Sequence, residues 1–188
     1  MTELHALRDA YRSDKAAILA AMQATGASTR GIHGVLRRLS ALAGNLLRTL
    51  WQRAELPADM ALVAVGGFGR DQLFPYSDVD VLLLMPDGAA PEAGSALRTR
   101  LEGFIGSCWD AGLEIGSSVR TVAECLAESA GDVTVQTSLL ESRLVCGNAA
   151  LFAEFQRRYR EQMNPQAFLV AKTLEMRQRH NKYENTPY

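Results

Sequence analysis

Two aspartates one residue apart, Asp78-Val79-Asp80, stand at the head of the apolar run Val81–Leu84. In an extended strand residues i and i+2 project from the same face, which sets the two carboxylates roughly 6–7 Å apart. Like charges at that spacing repel unless a cation lies between them. Oxygen donors that share an ion with substrate phosphates select Mg²⁺. Ten residues separate Asp78 from Gly67, the second member of the pair Gly66-Gly67. A glycine pair lets the backbone approach a bulky group, and its N–H groups, with a short helix expected over Arg70–Phe74, suit a phosphate. Either feature alone is commonplace in turns and at strand edges. Together, a phosphate-facing turn and paired aspartates on the next strand form a two-metal nucleotidyl-transfer arrangement. Neither GxxxxGK[ST] nor GxGxxG occurs, which excludes a P-loop and a dinucleotide fingerprint. Arg70 could contact a triphosphate or pin its own loop through Ser77 or Asp71. Ser77 suits the start of the strand.

Elements that could hold these residues follow from the hydrophobic rhythm. Leu4, Leu7, Tyr11, Ile18 and Met22 mark a helix over 4–24. Ser28 or Thr29 can cap a second over 30–56, whose wide apolar face runs from Ile32 to Leu50 before Pro57. The short continuous apolar run 60–65 reads as a buried strand, and 78–85 as its neighbour. Pro86-Asp87-Gly88 marks a turn. A helix over 92–111 and a strand over 113–120 follow. From Thr121 the chain reads as helical to its end: Asp132 caps a helix to about Val145, Gly147-Asn148 stops it, and 149–162 and 165–184 complete two more. This gives an α/β (α+β) fold, a small mixed sheet flanked by helices. It divides into a helical segment 1–57, a core 58–130 and a helical extension 131–188.

Composition narrows the function classes. Of the 188 residues, 47% are apolar and 22% charged, as in a soluble globular chain. Twenty basic and twenty-one acidic residues leave a net charge of −1, so no global excess draws the chain to nucleic acid or an acidic membrane. No apolar run reaches the roughly 18 residues that span a bilayer, and the charged N-terminus lacks a signal-peptide block. Three cysteines without CxxC spacing, Cys108, Cys125 and Cys146, form neither a disulfide framework nor a zinc site. A cytoplasmic protein with reduced thiols is expected. Lys172, Arg177, Arg179, His180 and Lys182 make the last helix basic, which reads as a solvated face. His5 and His33 carry no partner pattern. Glu141 and Arg143, two apart on the expected helix, face different ways and imply no shared site.

Gly66-Gly67 followed by Asp78-Val79-Asp80 resembles the signature of the DNA polymerase beta-like nucleotidyltransferase superfamily. The longer string AVGGFGRDQLFPYSDVDVLLL resembles the N-terminal transferase domain of the bifunctional uridylyltransferase/uridylyl-removing enzyme family. Residues 113–121, 132–134, 140–144 and 179–183 agree with it too, so the resemblance spans roughly residues 5–188. It implies a polymerase-beta-like fold with helical N- and C-terminal extensions. It implies Mg²⁺-dependent transfer of UMP from UTP to a tyrosine of the nitrogen-signalling protein PII, with release of pyrophosphate. Asp78 and Asp80 match the metal-binding carboxylates, and Gly66 and Gly67 the phosphate-facing turn. Glu114, on the third expected strand, is the counterpart of the superfamily's third metal and catalytic carboxylate. Ser117 stands where the family usually has His. The HD phosphohydrolase and ACT domains of the family's full length are not expected within this chain, which holds no His-Asp dipeptide. Two rivals remain. One is another transferase of the superfamily, such as the adenylyltransferase of glutamine synthetase or a small-molecule enzyme. The other is a non-catalytic nucleotide-binding module.

Overall fold

A computed structural model describes residues 3–25, 28–89 and 91–182. Two long helices come first, α1 (Glu3–Thr25) and α2 (Thr29–Arg53), followed by strand β1 (Ala61–Ala64), the single turn of helix α3 (Gly66–Gly69) and β2 (Val79–Met85). Then come α4 (Ala96–Asp110), β3 (Ile115–Thr121), α5 (Val122–Gly131), α6 (Val133–Leu140), β4 (Arg143–Gly147), α7 (Ala149–Gln162) and α8 (Pro165–Lys182).

The sheet runs β3-β2-β1-β4. β1 is antiparallel to β2, its neighbour in sequence, and to β4, which returns from far along the chain, whereas β2 and β3 are parallel and need the α4 crossover between them. Both faces are covered, which is why β1 and β2 read as continuous apolar runs. Leu62, Ala64, Val81 and Leu83 pack with Tyr11, Leu39, Leu47 and Phe104 of α1, α2 and α4. Ala61, Val63, Leu82 and Leu84 pack with Cys125, Leu139 and Phe155 of α5, α6 and α7. The expected α/β architecture, a small mixed sheet flanked by helices, is therefore the observed one, and it suits a polymerase-beta-like fold.

Local capping explains several boundaries. Ser28 accepts from the Gly31 N–H at 3.1 Å and starts α2. Thr121 and Glu124 close a reciprocal capping box on α5. Asp132 starts α6, as its position suggests.

Two expectations fail. The helix expected from Asp132 to Val145 stops at Leu140, and Arg143–Gly147 forms β4, paired with β1. An apolar stretch this short carries no periodicity that separates strand from helix, and the free edge of β1 decides the matter. This strand lies within the stretch read as a helical extension. The short helix expected over Arg70–Phe74 instead occupies Gly66–Gly69, because Asp71 at φ 59° breaks the helical path just after it. The last helix is helical to Lys182, and its expected end at 184 lies outside the described residues. So do the side chains of Arg179 and Lys182 and all of Tyr183.

Candidate active site

Asp80 is the single exposed position of β2, with buried Val79 and Val81 on either side. In the parallel register it faces Gly116 of β3. A Cβ at Gly116 would stand 2.6 Å from Asp80 Oδ1, so only glycine leaves the carboxylate its place. Gly66 closes in from β1's end. Its φ of 56° lies in the left-handed region that glycine adopts freely, and a Cβ there would meet Asp80 Oδ2 at 3.6 Å and Ser138 Oγ at 3.7 Å. The Val65 N–H donates to the Asp80 carbonyl at 3.1 Å, which ties the turn to the strand. Two glycines and a serine thus surround one carboxylate.

Moving the helical turn forward makes Gly66 and Gly67 the first residues of α3. Among the described residues the N–H groups of Gly66, Gly67 and Phe68 have no backbone partner, as the first turn of any helix requires. Asp78 precedes β2 and is exposed. Burial, and then the Asp78 charge, push the Asp80 carboxyl above the usual carboxylate range. A cation between them would relieve both effects.

The turn is held from elsewhere. Arg143 of β4 donates from Nη2 to the Phe68 carbonyl at 3.1 Å and from Nε to the Gly69 carbonyl at 3.3 Å. It also pairs with Asp71 at 2.9 Å, and its guanidinium lies 5.3 Å from the centre of the Phe68 ring. Arg70 pairs with Glu141 and donates to Gln72 Oε1 at 3.2 Å. Gly69 packs so tightly beneath Glu141 that a Cβ would lie 1.8 Å from the Glu141 carbonyl oxygen.

The partners expected for Arg70, Ser77 and Asp71, are thus replaced by Glu141, while Asp71 belongs to Arg143. Glu141 and Arg143 do meet at one place, contrary to the expectation drawn from a continuous helix. The chain turns between them, and both reach the same loop. Ser77 closes its own turn, its hydroxyl donating to the Phe74 carbonyl at 3.1 Å.

Glu114 is exposed just ahead of β3, and its carbonyl accepts from the Val79 N–H at 2.8 Å. Its side chain lines a cleft of about 120 Å³ with Tyr11, Lys15, Phe74, Tyr76 and Ser77. Burial, and then the Glu114 charge, raise the Tyr11 phenol above its ordinary value. Among the described residues no group of three or more His, Cys, Asp or Glu side chains converges as a metal site, so Glu114 is not gathered with the two aspartates. Ser117 is exposed on β3.

Ser138, Gly116 and Arg143 went unassigned in the sequence. Gly116 carried a usable signal, because a glycine opposite an aspartate in a strand marks a close approach. Ser138 carried none, since its relevance depends on where α6 docks. The cysteines are free, with thiols raised by burial to about 12 at Cys108 and Cys125 and to about 11 at Cys146. Among the described residues no helix is long and apolar enough to cross a membrane.

No family model matches the chain. It is 53% identical over 178 residues to the bifunctional uridylyltransferase/uridylyl-removing enzyme of Burkholderia mallei, across 95% of this chain and 20% of that protein. The protein of the same name from Burkholderia pseudomallei matches to the same extent. The resemblance read from the motif is therefore shown, and the chain spans about a fifth of the length of these relatives.

Proposed function

We propose that this chain, a counterpart of part of the uridylyltransferase/uridylyl-removing enzymes, is a nucleotidyltransferase unit that moves UMP from UTP onto a tyrosine hydroxyl of PII. The supporting observation is the clearing around Asp80, made by glycines on both sides of one carboxylate and opened toward the amides of Gly66 and Gly67. Those amides would face the triphosphate, and Asp78 and Asp80 would hold Mg²⁺. The ion, when bound, neutralises phosphate charge and makes the attacking oxygen a better nucleophile. In the transfer the acceptor oxygen bonds to the α-phosphorus as the bond to pyrophosphate breaks, and the phenol proton passes to solvent. Arg70 and Arg143 keep the turn in shape through Glu141 and Asp71. Glu114 has no metal in this proposal.

Calorimetry with UTP, ATP, CTP and GTP, with and without Mg²⁺, tests the reading. Mg²⁺-dependent binding that favours UTP and vanishes in Asp78→Asn supports it, as does labelling of PII by UTP. A preference for ATP moves the assignment to adenylyl transfer. A second reading is nucleotide binding without transfer, because among the described residues no third carboxylate groups with the aspartate pair. Binding of UTP with no labelling of PII selects it.

A further inference from the structure

Arg30, His33, Gly34 and Arg37 of α2 line, with Gln72, an open surface depression of about 700 Å³. They recur at three- and four-residue steps, so they share one face of α2. Nothing stands within 4 Å of where the Gly34 Cβ would be. Gln72 belongs to the loop of the candidate active site: its N–H donates to the Gly67 carbonyl at 2.9 Å and its side chain accepts from Arg70. Neighbouring acids are already occupied, Asp71 by Arg143 and Glu141 by Arg70. Further along α2, Arg48 donates to the Val145 carbonyl and Arg53 pairs with Glu3. No ion pair or hydrogen bond is found for the side chains of Arg30, His33 or Arg37 among the described residues. Arg30 also sits in the first turn of α2, where no acid balances it and the helix dipole disfavours a cation. Stability does not explain these residues.

We propose that this cationic face is the docking surface for an acidic segment of the protein acceptor. The inference rests on the transferase reading above. Arg30 and Arg37 are two turns apart, about 10 Å along the helix. A single phosphate cannot bridge them. An extended peptide advances about 3.3 Å per residue and puts i, i+2 and i+4 on one face, so acidic side chains two and four residues apart, about 7 and 13 Å, bracket that span. A segment held there lies against the loop that carries Gly67 and Gln72. The overall charge of −1 makes a local, directed attraction possible without general affinity for polyanions.

Fluorescence anisotropy of a labelled oligoglutamate peptide at low salt tests it. The expected result is binding that salt weakens, that falls about tenfold in Arg30→Glu/Arg37→Glu and that survives in Asp80→Asn. Arg98→Glu/Arg157→Glu carries the same change of net charge elsewhere and should bind as the parent does. Arg30→Gln/Arg37→Gln serves if charge reversal disturbs folding, which circular dichroism reads. Absence of peptide binding, an equal loss in the Arg98/Arg157 variant, or tighter binding of an oligouridylate each overturns the proposal, the last in favour of a nucleic acid. Calorimetry with Mg²⁺ and UTP on the same preparations separates the two claims. Peptide binding without UTP binding refutes the transferase reading and leaves an acidic-segment site. UTP binding without peptide binding refutes only the docking surface.

Discussion

Gly116 lies beneath the Asp80 carboxylate, paired with it in parallel register, and a Cβ there would stand 2.6 Å from Oδ1. Gly116→Ala must therefore displace the carboxylate. The clash is with the far end of an exposed side chain, so stability changes little, and the displaced group is the proposed metal ligand. Mg²⁺-dependent UTP binding should fall at least as far as in Asp80→Asn, while thermal unfolding stays cooperative. Unchanged UTP affinity in the alanine variant would remove Asp80 from the site.

Asp80 should cost the metal-free chain stability. Its folded pKa is raised by burial and by Asp78, so the fold prefers the protonated carboxyl. The cost sets in as pH rises through the unfolded value and is complete above the folded one. Asp80→Asn should melt higher than the parent at neutral pH, and the gap should close below the carboxylate range. Mg²⁺ should raise the melting temperature of the parent and not of the variant. A variant that melts lower at neutral pH contradicts this account.

Asp87 shows the opposite sign. Hydrogen bonds from Arg158 and from the Ala123 N–H hold its carboxyl below the usual range. That stability is present above the ordinary Asp pKa and is lost as pH falls through the lowered folded value. Asp87→Ala should cost about 1 kcal/mol at neutral pH, a figure already discounted for solvent screening of an exposed pair. Urea titrations at neutral and acid pH should show the difference shrinking with acidification.

Arg143 is the strap over the turn. Its removal leaves the Phe68 and Gly69 carbonyls without a charged donor, at about 2 kcal/mol. Arg143→Ala should lower stability and UTP affinity together, and Arg143→Lys should recover part of both. Protease sensitivity near residues 66–72 would report the loosened turn.

Ser138 should behave differently. Its hydroxyl has no hydrogen-bond partner among the described residues, so Ser138→Ala should move stability by no more than about 0.5 kcal/mol. Facing Gly66 and Asp80, it is placed to meet bound nucleotide, and the affinity for UTP with Mg²⁺ should drop about fivefold. Equal affinity for parent and variant would leave Ser138 as packing only.

The motif was legible where local chemistry decides. β1, β2 and β3 read as strands from apolar runs and turn residues, and Asp80 as an exposed position on the second of them. What needed tertiary placement stayed hidden. β4 looks like a helix end until β1 offers its edge. Ser138, Glu141 and Arg143 reach the turn from about seventy residues away, and no spacing rule spans that distance. Glu114 has a suitable residue type next to a suitable strand, and it lines a cleft with Tyr11 and Lys15. His33 shares a helix face with two arginines by spacing, and only the folded loop brings Gln72 beside them.

The strap also sets a timetable for synthesis. Phe68 and Gly69 emerge from the ribosome long before Arg143, and β1 waits for its outer partner until Gly147 has been made. The nascent chain can bury the α1–α2 face early, but the nucleotide turn stays slack until the last strand arrives. Translation stalled after β3 and before residue 143 therefore leaves Asp78 and Asp80 made and the turn without its strap. The local contacts form first, and the long-range contact of Arg143 with the turn follows them.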